Sequence, residues 1–190
     1  EIHGTKIRNY TTNPDNPITG EVWYNETDNV LKFEYPNTIG AWSTANPMNT
    51  GRFGLAGDGI YTAAIAMGGG ADPGVYYNKT ETFNGTNWTE VNAMNTSRRY
   101  LTGAGTSTSS LAIGGFAPPH TAVVESWNGT NWTEVADIGA RSQLASAGES
   151  NTAAIAAGGE PPSSGTTAVE SWNGSNWTTV NSLNTGRQAL

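Results

Sequence analysis

Trp127-Asn-Gly-Thr-Asn-Trp132 decides the fold, because the chain repeats it. Phe83-Asn-Gly-Thr-Asn-Trp88 precedes it and Trp172-Asn-Gly-Ser-Asn-Trp177 follows. The tryptophans Trp42, Trp88, Trp132 and Trp177 lie 46, 44 and 45 residues apart. Other landmarks keep that beat: Gly68-Gly69, Gly114-Gly115 and Gly158-Gly159; Glu81, Glu125 and Glu170; Arg52, Arg98, Arg141 and Arg187. A fixed period of about 20–50 residues marks stacked supersecondary units, each burying a face against its neighbour.

Within a unit, an Arg opens a segment of small and apolar residues, such as Arg98-Arg-Tyr-Leu-Thr-Gly-Ala-Gly105. After a polar turn comes a short apolar run ending in the Gly pair, for example Ala63-Ala-Ile-Ala-Met67. A variable loop then leads to Val123-Val-Glu-Ser-Trp127 or its counterpart, the Asn-Gly turn, and Asn131-Trp-Thr-Glu-Val135. Asn-Gly between two such runs is a hairpin signal, since both residues tolerate positive φ. Each unit therefore reads as four short strands, with no helical period. The run before the Gly pair does not alternate, so that strand is expected to be covered on both faces. The glycines let backbones approach where a Cβ would clash. The closing tryptophan is the expected wedge between sheets.

Composition agrees. Only 13% of the 190 residues are charged, about half the usual share, and Ser, Thr, Asn and 24 glycines fill the difference, as turn-dense β structure requires. Seven tryptophans argue against disorder. The net charge of −7 disfavours nucleic acid, whose binders carry a basic patch. The absence of cysteine removes disulfides, thiolate nucleophiles and Cys-based metal sites. There is no run of 18 apolar residues, so no spanning helix is expected.

Before the periodic part, Ile7-Arg-Asn-Tyr10 reads as a short strand and 13–20 as a loop rich in Pro, Asn and Gly. Glu21-Val-Trp-Tyr-Asn25 and Val30-Leu-Lys-Phe-Glu-Tyr35 read as a hairpin around Glu26-Thr-Asp-Asn29. This divides the chain into an N-terminal hairpin or attachment region, 1–42, and repeats over 43–190. The full units are 52–91, 98–135 and 141–180, and 187–190 begins another.

An apolar strand ending in Gly-Gly, an acidic strand, a Trp after a turn and an Arg opening the next unit together resemble the kelch repeat. The resemblance implies an all-β fold: a kelch-type β-propeller of four-stranded blades, or a segment of one, preceded by the N-terminal hairpin region. Trp-Asn-Gly stands where the family usually has a Tyr-Asp-Pro-like turn. Trp23-Tyr-Asn-Glu-Thr-Asp-Asn-Val-Leu-Lys, Gly40-Ala-Trp42 and the recurring Leu/Met-Asn-Thr-Gly-Arg phrase are similar to kelch-like tail-fibre and virion proteins of tailed, especially marine, bacteriophages. That similarity implies a non-enzymatic structural and adhesion protein of the virion, recognising the host. Its implied partners are other tail proteins and a host-surface glycan or protein. Ring closure stays open between residues 1–42 completing a four-bladed ring, a longer ring, and a ring between subunits (a homo-oligomer). The alternatives are a secreted or cellular kelch module that binds a protein, and, more weakly, a glycan-active enzyme.

No catalytic set, metal site or cofactor is expected from the residues. His3 is near a terminus and His120 lies in the loop Phe116-Ala-Pro-Pro-His120; a Ser–His pair is conceivable, but a loop histidine is the simpler reading. Asp15, Asp28, Asp58, Asp72 and Asp137 are scattered beside turn residues and read as turn caps. Glu81, Glu125 and Glu170 are expected to pair with the recurring arginines or cap neighbouring strands. Met67-Gly-Gly-Gly70 lacks the ending of a phosphate loop. Ten Asn-X-Ser/Thr sequons are mostly copies of the turn itself. What differs between repeats is the loop after the Gly pair, and variation on one face is where repeat proteins bind. The candidate binding residues there are Asp72, Tyr76, Tyr77, Phe116, His120 and Glu160, with aromatic rings suited to a sugar or a partner surface.

Overall fold

The computed structural model describes residues 7–14, 21–33, 44–161 and 165–189. Trp42, His3 and Asp15, and the interior of the loop after Gly159, lie outside them. The chain divides into two compact units, Glu1–Thr44 and Ala45–Leu190. In the first, β1 (Arg8–Tyr10) pairs in parallel with β2 (Val22–Asn25), which forms a hairpin with β3 (Val30–Phe33).

The second unit holds three four-stranded antiparallel sheets. The first begins with β4 (Ala56–Ile60) and β5 (Ala63–Met67). Its variable loop carries a small ribbon, β6 (Gly70–Ala71) against β7 (Val75–Tyr76), before β8 (Thr80–Phe83) and β9 (Trp88–Val91) complete the sheet. The second sheet is β10 (Thr102–Thr106), β11 (Ser109–Ile113), β12 (Val124–Trp127) and β13 (Trp132–Val135). The third is β14 (Ala145–Ser150), β15 (Ala153–Ala157), β16 (Val169–Trp172) and β17 (Trp177–Thr179). No helix among the described residues is long and apolar enough to cross a membrane.

The hairpin turn works differently from the sequence expectation. Phe83 faces Trp88, Trp127 faces Trp132 and Trp172 faces Trp177, so the loop holds four residues. Only its glycine has positive φ: 91° at Gly85, 90° at Gly129 and 93° at Gly174. The Asn acts through its side chain. Asn128 Oδ1 accepts the Thr130 and Asn131 amides at 2.9 and 2.8 Å, and Asn84 and Asn173 do the same.

Each Gly pair sits where the next unit's opening segment crosses. Gly69 N donates to Arg98 O and Gly115 N to Arg141 O, both at 2.9 Å. A Cβ on Gly114 would stand 2.5 Å from Arg141 O, and the residue's φ of 59° already favours glycine. Gly159 N repeats the contact with Arg187 O at 2.8 Å, so 183–189 lies on the third sheet as the opening segments 94–100 and 138–143 lie on the two before it.

Two clusters form the core, each between consecutive sheets. Trp132 of the second sheet packs with Ile65, Met67 and Met94. Trp172, with Trp177 at its edge, packs with Leu111, Ile113 and Val124. The tryptophan wedge is present at both junctions. The middle strand is covered as expected in the first two sheets, where Ile65 is 1% and Leu111 0% exposed. It is not in the third, where the equivalent Ile155 is 42% exposed because no further sheet lies on it among the described residues.

Three of the four recurring arginines pair with the Glu of the sheet they open: Arg52–Glu81 at 2.8 Å, Arg98–Glu125 at 3.1 Å and Arg141–Glu170 at 2.5 Å. The first two pairs are fully buried. Burial pushes the Arg98 pKa down, opposed by the charges of Glu125, Glu134 and Asp137. Asn49 and Asn95 complete those two sites, each giving backbone N and Nδ2 to the carboxylate at 2.7 and 2.9 Å. The third unit, Ile138-Gly-Ala-Arg141, has no such Asn, and Glu170 is left 16% exposed.

Candidate functional site

Short backbone bridges tie each variable loop to the opening segment of its own unit. The residue after each Arg pairs with the residue after each Gly pair: Phe53 with Gly70, Arg99 with Phe116, Ser142 with Glu160. Two positions that vary from unit to unit are therefore pinned side by side. The ribbon β6–β7 adds Tyr76 to this face.

Arg99 is its centre. The guanidinium carbon lies 5.2 Å from the Phe53 ring centroid and 5.1 Å from each of Tyr76 and Tyr100. These are cation–π distances. Tyr76 also meets Phe116 at 6.1 Å, and Phe116 meets the edge of His120 at 5.1 Å. Asp72 stands 3.5 Å from Arg99 Nη1 with its side chain 80% exposed. Of the six residues expected here, Asp72, Tyr76, Phe116 and His120 thus join one surface. Tyr77 contributes through its backbone, donating to Gly69 O at 2.8 Å and accepting from Arg98 N at 3.1 Å. Glu160 lies apart, accepting Gln143 Nε2 at 2.7 Å.

Sequence reasoning missed Phe53, Arg99 and Tyr100. The signal was present, since the residue after the recurring Arg is Phe53, Arg99, Ser142 and Gln188 in turn, as variable as the loops.

His120 Nδ1 lies 3.1 Å from Ser142 Oγ. Ser142 is only 1% exposed, so this contact ties the loop to a buried residue of the next opening segment. No group of three His, Asp or Glu that could hold a metal forms among the described residues.

A second feature is an open depression of about 660 Å³ where the edge strands β4, β10 and β14 meet, lined by Asp58, Tyr100, Thr102, Gln143 and Ser146 among others. Around it runs a backbone relay. Tyr100 N donates to Gly54 O, Gln143 N to Tyr100 O and Ala189 N to Gln143 O, at 2.6, 2.8 and 2.9 Å. All four residues are left-handed, with φ between 53° and 61°. Asp58 corrects a sequence reading. It is no turn cap but the middle of β4, aimed between sheets, where Ser110 Oγ donates to its Oδ2. Burial raises its pKa to about 6, against the bond from Ser110.

No family model matches the chain, and no curated protein matches it.

Proposed function

We propose that the three sheets are consecutive blades of a kelch-type propeller, and that the chain is a non-enzymatic recognition module of the phage tail-fibre kind. The propeller reading is supported by the edge strands β4, β10 and β14 meeting at one depression, by the relay of left-handed residues around it, and by 183–189 lying in the position of a fourth opening segment. The recognition reading is carried by one observation: the differing loops of the first two units converge on a single aromatic and cationic surface around Arg99. Aromatic rings with a central Arg are the side chains that dominate binding surfaces. The virion assignment draws on the resemblance of the hairpin region and the repeat phrases, and host surface or a neighbouring tail protein is the expected partner.

The enzyme alternative fares worse. Glycoside hydrolysis generally needs two facing carboxylates, and the described lining of the depression supplies Asp58 alone.

Mass spectrometry of purified particles tests the assignment, with adsorption to host cells measured in the presence of the isolated chain. The polypeptide should be present and the chain should compete for adsorption. Particles without it would remove the virion role, and a competing chain whose effect survives Tyr76→Ala plus Phe116→Ala would remove the loop face from recognition.

A further inference from the structure

We propose that the depression where β4, β10 and β14 meet binds an amino sugar, with the sugar's ammonium group on Asp58. This is a different surface from the loop face around Arg99, and the inference does not rest on that face. Three other acids held within the sheets each have a cation: Glu81 pairs with Arg52, Glu125 with Arg98 and Glu170 with Arg141. Asp58 is partly buried and has none among the described residues. Its one hydrogen bond there is given by Ser110 Oγ to Oδ2, while Oδ1 accepts none and stays open to solvent. A carboxylate held partly out of water without a counter-charge gains when a cation reaches it. A charge-assisted N–H···O bond is the strong form of that contact.

The lining favours an ammonium over a metal ion. Calcium takes about six to eight oxygen ligands, and Asp58 is the one carboxylate lining the depression. An ammonium asks only for a few acceptors, and the wall supplies them. Ser146 Oγ donates to Gly103 O, so Thr102 Oγ1, 2.7 Å away, spends its hydrogen on Ser146 and keeps lone pairs to accept with. The lining also favours a small polar carrier. Leu101 and Leu144 belong to it but are 7% and 4% exposed, so the four-carbon stem of a lysine finds little apolar wall. The hydroxyls of a pyranose need no such wall, and a volume of about 660 Å³ lies within the range of small-ligand sites.

The test titrates the full 190-residue chain at pH 7 with methyl α-glucosaminide, its N-acetyl derivative, methylammonium, a capped lysine peptide and calcium chloride, followed by calorimetry. The glucosaminide is expected to bind about tenfold or more tighter than each of the others. Acetylation removes the charge and keeps the ring, whereas methylammonium keeps the charge and lacks the ring. Asp58→Asn should erase the preference for the glucosaminide over its N-acetyl derivative, with near-UV tryptophan dichroism reporting that the variant folds. Tyr76→Ala plus Phe116→Ala should leave the affinity unchanged, and a loss there would move the sugar to the loop face and overturn the site. No binding of the glucosaminide, a preference that survives Asp58→Asn, or any of the other four ligands matching it would equally overturn the inference. The parent chain gives a second readout if Asp58→Asn does not fold. A bound ammonium favours the carboxylate over the acid, so saturating glucosaminide should move the titration of the Asp58 carboxyl carbon, followed by NMR, to lower pH. A titration that does not move would overturn the proposal without any variant.

Discussion

Trp132 donates its indole Nε1 to Thr80 Oγ1 at 3.0 Å, binding the second sheet to the first through a buried hydrogen bond. At the next junction the same bond is missing. Trp177 Nε1 is buried without a partner, and the residue that replaces Thr80 in the repeat register is Val124, which has no hydroxyl. An unsatisfied buried donor costs about 1–3 kcal/mol.

Exchanging the two residues should therefore move stability in opposite directions. Thr80→Val orphans Trp132 Nε1 and is expected to destabilise by about 1–2 kcal/mol. Val124→Thr offers Trp177 an acceptor and is expected to be neutral or stabilising by up to about 1 kcal/mol, since the two side chains have the same shape. Urea unfolding followed by tryptophan fluorescence reads both. Strong destabilisation by Val124→Thr would mean that the indole already has a partner.

The buried Arg–Glu pairs differ in a way that predicts unequal losses. Glu125→Gln strands Arg98, whose side chain is fully buried, and is expected to destabilise by about 3–5 kcal/mol. Glu170→Gln strands Arg141, where Glu170 is partly exposed and water can substitute, so the loss should be smaller, about 1–2 kcal/mol. Equal losses in denaturant titrations would show that the missing asparagine of the third unit has no energetic consequence.

Much of this was legible along the chain. The period dictated sheets of four strands, because each unit carries four short apolar runs separated by Gly, Asn and Ser. The pairing of Glu81, Glu125 and Glu170 with the arginines followed from their shared position in every unit. Asp58 was hidden for the opposite reason. Gly57 and Gly59 flank it and look like a turn, but they belong to β4, where a Cβ on either would press on the backbone of the paired strand β5. A Cβ on Gly103 would lie 2.6 Å from Asp58 Oδ2, so the second sheet makes room for the acid with a glycine of its own. That relation joins residues of two units, and no pattern within one unit can express it. The Arg99 cluster was hidden likewise, since the first unit's Phe53 and Tyr76 meet the second unit's Arg99 and Tyr100 where backbone bonds join the units, Arg98 N to Tyr77 O and Tyr100 N to Gly54 O.

Asp58 also sets a pH dependence. Its pKa rises from 3.8 to about 6 on folding, so the folded state binds this proton more tightly than the unfolded chain. The Asp58 contribution to stability must then fall as pH rises from about 4 to about 6 and level off above, a change of roughly 1–3 kcal/mol given its partial exposure. Asp58→Asn keeps an acceptor for Ser110 and loses the charge. It should be more stable than the parent at pH 7 and lack that segment of the profile in thermal melts. An unchanged profile would mean that water reaches the carboxylate freely.

The middle sheet and the end sheet give the last prediction. Leu111 and Ile155 occupy the same place in consecutive sheets, yet one is fully buried and the other 42% exposed. Leu111→Ala should open a cavity between sheets and cost about 2–5 kcal/mol. Ile155→Ala removes atoms that already face solvent and should cost less than about 1 kcal/mol, independent of protein concentration. Unfolding at two concentrations separates the possibilities. A loss at Ile155 that approaches that at Leu111 would show that something covers this face in solution, and a loss that grows with concentration would identify the cover as a second copy of the chain.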